Sequence, residues 1–115
     1  MTAFFRKPYY AWRGLSYILR RESSFRFQLV VAAVVLLGAW YFELSRTALA
    51  VLLLAAGGVL VVEVFNTFLE RLLDVIEPRF SHHAGVLKDI LAAAALIMGL
   101  AALAAIALLV VEFLS

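Results

Sequence analysis

The sequence predicts an all-α membrane protein: an N-terminal amphipathic surface helix followed by three transmembrane helices. Two observations lead there. Apolar residues fill 66% of the 115 positions and charged residues only 16%, against about 45–50% and about 25% in an average globular chain. The apolar residues are also gathered into three long uncharged runs, Phe27–Phe42, Thr47–Val62 and Ile90–Val111. A soluble chain this small needs most of its surface polar, so lipid must form part of its solvent. Residues 1–115 read as one membrane-embedded domain.

Two further features remove whole classes of function. With no cysteine, a disulfide framework, a thiolate zinc site and a cysteine nucleophile are all excluded. The net charge is only +2, and the bases bunch near the N-terminus as membrane proteins commonly distribute them, so no nucleic-acid partner is expected.

The first element is the surface helix, over about 4–20. It mixes Phe4, Phe5, Tyr9, Tyr10, Trp12, Tyr17, Ile18 and Leu19 with Arg6, Lys7, Arg13 and Arg20, the make-up of a helix lying at headgroup depth. It does not read as a signal peptide, because no apolar core and small-residue cleavage site follow the basic start. Span one, about 25–42, reaches full length if Phe25 and the stem of Arg26 occupy the headgroup zone, where a long basic side chain can snorkel.

The turn Glu43-Leu44-Ser45-Arg46 is very short, so spans one and two should form an antiparallel hairpin. Span two, about 47–69, approaches the ~20 residues a bilayer requires only by running through Glu63. Glu70–Asp89 reads as a polar connector holding Pro78, which ends a helix readily, and Gly85. Its two adjacent histidines, His82 and His83, read as a solvated turn rather than a metal pair. Span three, about 90–111, is long enough by itself. Six basic residues precede span one, one lies in the first turn and three lie in the connector. The positive-inside rule then predicts a cytoplasmic N-terminus and connector.

The chemistry concentrates in span two. Glu63, Asn66, Glu70, Asp74 and Glu77 are spaced three, four, four and three apart, which keeps them on one helix face within roughly 80° of arc. That face climbs from inside the bilayer to its cytoplasmic surface. Glu70, Asp74 and Glu77 can be read as an ordinary solvated face. Glu63 is different, because Val61, Val62, Val64 and Phe65 around it are apolar and an intramembrane acid costs at least ~2.5–3.5 kcal/mol. Clustered carboxylates suit Mg²⁺ held together with nucleotide phosphates, and a desolvated carboxylate suits a general base. Glu70 fits the metal role and Glu63 the base, with Asn66 between them to orient a hydroxyl or phosphate. Glu22, just before span one, is a second metal candidate. Lys88 offers a cation for phosphate and Asp89 an acceptor.

These residues resemble the prokaryotic diacylglycerol kinase and undecaprenol kinase family over nearly the whole chain. The resemblance rests on Trp12-Arg13-Gly14-Leu15, on Arg21-Glu22-Ser23-Ser24-Phe25-Arg26, on the stretch from Gly58 to Thr67, on Glu70 with Asp74, on Pro78, and on Lys88-Asp89 followed by alanines. It implies a homotrimer of the bacterial cytoplasmic membrane that transfers the γ-phosphate of Mg·ATP to the hydroxyl of a membrane lipid, in phospholipid or lipid-carrier metabolism. By motif, Glu63 matches the catalytic base, and Glu22 and Glu70 the ligands tying magnesium to ATP. Asn66 and Asp74 match active-site polar residues, and Tyr10, Lys88 and Asp89 match nucleotide contacts. Arg79, Phe80 and Ser81 stand where the family loop, commonly Glu-Tyr-His, also meets ATP; His82 and His83 follow directly. Ala92, where the diacylglycerol branch has a serine, looks more like the undecaprenol branch, as do Leu44-Ser45-Arg46 and Asn66-Thr67. Either lipid stays open as acceptor.

No Gly-x-x-x-x-Gly-Lys-[Ser/Thr] loop occurs, which excludes a P-loop mechanism. Three helices cannot themselves enclose a nucleotide and a lipid, so a site shared between subunits is expected. Two rival readings remain: a non-catalytic membrane subunit that uses Glu63 for assembly, and a proton-conducting element built on Glu63.

Overall fold

A computed structural model describes residues 2–76 and 82–115, which form four helices: α1 (Thr2–Arg21), α2 (Ser23–Tyr41), α3 (Arg46–Ile76) and α4 (His82–Leu114). The last three are each long and apolar enough to cross a membrane. The expected order of one amphipathic helix and three spans is therefore observed.

The connector is where the structure departs from expectation. α3 runs on to Ile76, in keeping with the helical face read from Glu63 to Asp74, but α4 begins at His82 rather than near Ile90. His82, His83, Lys88 and Asp89 are thus helical, not part of a loop. Charged residues end an apolar run without ending a helix; only missing donors, caps or glycine do that. Pro78, with Glu77, Arg79, Phe80 and Ser81, lies outside the described residues. With 31 and 33 residues, α3 and α4 extend about 46 and 50 Å, well beyond a ~30 Å hydrocarbon core. Their polar ends stand clear of it.

The α2–α3 turn is built from backbone bonds. The Leu44 N–H donates to the Ala39 carbonyl at 3.0 Å and the Glu43 N–H to the Trp40 carbonyl at 3.1 Å. This is the paired closure of a helix whose next residue is left-handed. Here that residue is Glu43, at φ 57°, where glycine would be unstrained. Ser45 Oγ then accepts from the Ala48 N–H at 3.1 Å, a cap contributing about 1 kcal/mol to the start of α3.

At the other end of α2, α1 and α2 are separated by a single extended residue, Glu22, at φ −114° and ψ 107°. Arg26, expected to snorkel, folds its guanidinium back to donate to the Leu19 and Arg20 carbonyls at 2.8 and 3.2 Å. It closes the C-terminus of α1, where carbonyls lack helical partners.

α3 is the central helix and packs against both α2 and α4. Gly58 lets α4 approach: a Cβ there would lie 2.8 Å from Sδ and Cε of Met98. Between α2 and α4 a cleft remains, floored by α3 and closed at its far end by Phe42 against Phe113, ring centroids 5.7 Å apart. The helices spread over 53 × 40 × 24 Å. They leave 8963 Å² accessible, against roughly 6200 Å² for a compact soluble chain of this mass. Most of the apolar surface faces outward, as the composition requires.

Candidate functional site

At the polar end of the bundle, α3 meets the α1–α2 junction, and four side-chain contacts tie them together or order α3 itself. The deepest involves Glu63. It lines a cavity of about 450 Å³ whose other walls are almost wholly apolar, among them Val31, Val35, Val59, Met98 and Leu103. The sequence spacing explains the placement: Glu63 follows Val59 by one turn and so points with it into the α2–α4 cleft.

Within this cavity Gln28 Nε2 donates to Glu63 Oε1 at 2.7 Å. The bonded carboxylate oxygen accepts, so Gln28 presents its amino group to it. That turns Gln28 Oε1 away, and this buried oxygen has no donor among the described residues. Among the described residues no donor meets Glu63 Oε2, the second oxygen of a side chain that lines this otherwise apolar cavity. An unpaired buried carbonyl costs about 1–3 kcal/mol.

One turn along α3, Asn66 Nδ2 donates to Glu70 Oε1, a turn further on, at 3.2 Å, orienting that carboxylate. Beside Glu70 on the chain, Arg71 reaches across to the junction. It forms an ion pair with Glu22 and donates from Nε to Tyr17 Oη at 3.1 Å. Glu22 is the residue before α2 yet makes no side-chain capping bond; its half-buried carboxylate is turned to α3 instead.

The antiparallel hairpin supplies the register. The step from Glu22 to Gln28 on α2 runs opposite the step from Arg71 to Glu63 on α3, so both cross-links fall at matching heights. Glu63, Asn66 and Glu70 on α3 and Glu22 at the start of α2 therefore lie toward the same end of the hairpin. Asp74 is exposed on the last turns of α3, and Tyr10 is exposed on α1, its ring centroid 5.7 Å from that of Tyr9. Lys88, Asp89 and Ala92 are exposed on α4. No hydrogen bond or ion pair among the described residues joins Lys88 or Asp89 to the carboxylates. Arg79, Phe80 and Ser81 fall outside the described residues. His82 and His83 are exposed, with ring centroids 6.0 Å apart.

Gln28, Tyr17 and Arg71 escaped the sequence reading. Gln28 did carry a signal, as the sole amide in the first apolar run. A polar side chain at membrane depth calls for a partner at the same depth.

The model of the prokaryotic diacylglycerol kinase family matches residues 9–111. The chain belongs to that family. Relatives include a diacylglycerol kinase of Synechocystis sp., 34% identical over 94 residues. They also include the undecaprenol kinase of Bacillus subtilis, 31% identical over 94 residues. The matched region covers 81% of this chain and 54% of the first relative, and 82% and 76% for the second. The chain thus spans about half the length of the Synechocystis protein.

Among the described residues no three His, Asp or Glu side chains converge on one point that could hold a metal ion. Glu22 and Glu70 are two hard oxygen donors. That number suits Mg²⁺, which usually takes one or two carboxylates and completes its shell with phosphates and water.

Proposed function

We propose that the chain is an ATP-dependent lipid kinase. It transfers the γ-phosphate of Mg·ATP to the hydroxyl of a membrane lipid, at the cytoplasmic face of a bacterial cytoplasmic membrane. The observation that carries this reading is the Glu63–Gln28 pair: a carboxylate held in an apolar cavity, with one oxygen pinned and the other free to accept. Family membership and the names of the two relatives support it.

In this mechanism Gln28 holds Glu63 Oε1, so that Oε2 faces the incoming alcohol. The alcohol's proton passes to Oε2, its oxygen bonds to the γ-phosphorus, and the bond from that phosphorus to the β–γ bridging oxygen breaks to release ADP. Glu22 and Glu70, the latter steadied by Asn66, would hold Mg²⁺, which supplies charge neutralisation to the phosphates. Phosphoryl transfer asks mainly for such positioning.

Tyr10, Lys88 and Asp89, with Arg79, Phe80 and Ser81, are assigned to ATP, Asp74 to the polar lining and Ala92 to the lipid side. Because no hydrogen bond or ion pair among the described residues joins Lys88 or Asp89 to the carboxylates, sites completed between subunits of a homotrimer fit this arrangement. The exposure of Val61, Phe65 and Phe68 on the central helix leaves surface for that assembly. The rival subunit reading needs Glu63 to seek a partner elsewhere; its bond to Gln28 within the chain counts against that need.

The deciding experiment is phosphotransfer from ATP by the purified chain in mixed micelles, with diacylglycerol and undecaprenol offered in parallel. Phosphorylated lipid from one of them is expected and identifies the acceptor. No labelled lipid from either, at saturating Mg·ATP, would overturn the kinase reading. Gln28→Leu should lower kcat by about 10-fold or more through loss of base positioning, with the ATP KM unchanged. A rise in the ATP KM alone would relocate Gln28 to the nucleotide.

A further inference from the structure

Arg71 is the one described basic side chain that the structure ties to a proposed metal ligand, and its geometry has a feature a simple strap does not need. Its guanidinium is divided between two partners of different kind. Nε bonds the neutral Tyr17 hydroxyl at 3.1 Å, while an Nη group bonds the Glu22 carboxylate. The hydroxyl is a fixed anchor; the carboxylate is the group assigned above to Mg²⁺.

We propose that Arg71 is a resident counter-ion for Glu22 that changes partners when the nucleotide arrives, leaving the carboxylate to the metal and donating to the nucleotide's phosphates instead. This rests on the kinase reading.

Three physical points support it. Arg71 cannot lose its charge at any ordinary pH, so once Glu22 turns to a cation the guanidinium needs another anion within reach. The phosphates brought with the metal are that anion, and guanidinium–phosphate pairing is among the strongest charge-assisted contacts. Tyr17 lets the exchange occur without losing Arg71's position: Nε stays bonded while the Nη groups swing. The accessibility of the Arg71 side chain, 45% against 21% for Glu22, leaves room for such a swing. Glu22 is also extended backbone between two helices, free of any capping duty, so its side chain can turn without breaking a helix.

The test is equilibrium binding rather than turnover, on the full chain in nanodiscs. Mn²⁺ alone and Mn²⁺ with a non-hydrolysable ATP analogue are the probes, followed by electron paramagnetic resonance and by thermal shift. Arg71→Gln should bind Mn²⁺ alone several-fold more tightly, because Glu22 is released. It should bind the analogue at least ~10-fold more weakly, because a charge-assisted phosphate contact is lost. Arg71→Lys should restore part of the nucleotide affinity. Tyr17→Phe keeps the ring and the charge and should show the same pair of changes in weaker form; it serves if Arg71→Gln does not fold. Unchanged affinities for both probes in folded Arg71 and Tyr17 variants would make Arg71 a structural strap and overturn the proposal. Failure of the parent chain to bind Mn²⁺ with the analogue would overturn the kinase reading itself, and this proposal with it.

Discussion

Glu63→Gln is expected to cut turnover at least ~10²-fold while leaving the fold intact. The substitution is informative because it preserves nearly everything else at the site. Glutamine has the shape of glutamate, and its side-chain oxygen can still accept from Gln28 Nε2, the contact that measures 2.7 Å with the carboxylate. The cavity walls, the register of α2 on α3 and the position of the side chain should all survive. What disappears is the charge and the capacity to take a proton from an alcohol. A variant that melts like the parent, binds ATP like the parent and fails to turn over would assign Glu63 as the base. Near-normal kcat would remove it from the chemistry. The subunit reading predicts something else: weakened assembly of the chains, with no turnover in either protein.

The second large effect is expected at Glu70. Glu70→Ala should raise the Mg²⁺ requirement by at least ~10-fold, since even partners that merely orient a metal ligand typically cost 10–100-fold when removed. The lipid KM should stay close to that of the parent, because Glu70 lies two turns along α3 from the cavity that holds Glu63. Asn66 donates to Glu70 Oε1 at 3.2 Å, so Asn66→Ala should shift the metal requirement in the same direction by less. Titrating activity against Mg²⁺ at fixed ATP, then against lipid at saturating Mg·ATP, separates the two dependences. A Glu70 variant with an unchanged metal dependence would exclude ligation by this residue.

Much of the architecture and part of the site follow from local chemistry. Apolar runs near bilayer length predict the three spans, and the short Glu43–Arg46 turn predicts the hairpin, because each depends only on neighbouring residues. The 3.6-residue repeat places Glu63, Asn66, Glu70 and Asp74 on one face whatever α3 packs against. Helix ends were less legible. His82–Asp89 looked like connector because it is polar, but polarity sets where a helix sits relative to lipid, not whether its backbone bonds continue. α4 starting at His82 follows from that distinction.

The sequence alone determined the number of spans and the shared face of the acidic residues, since periodicity and composition are properties of a single segment. The pairing of Gln28 with Glu63, and of Arg71 with Glu22 and Tyr17, was decided only by the tertiary structure. Each joins residues 35 to 54 positions apart. Which side chains meet across such a distance depends on the relative height and rotation of two helices, and these are set by contacts such as Gly58 against Met98 and by the closure of the turn at Glu43, not by any repeat within either helix.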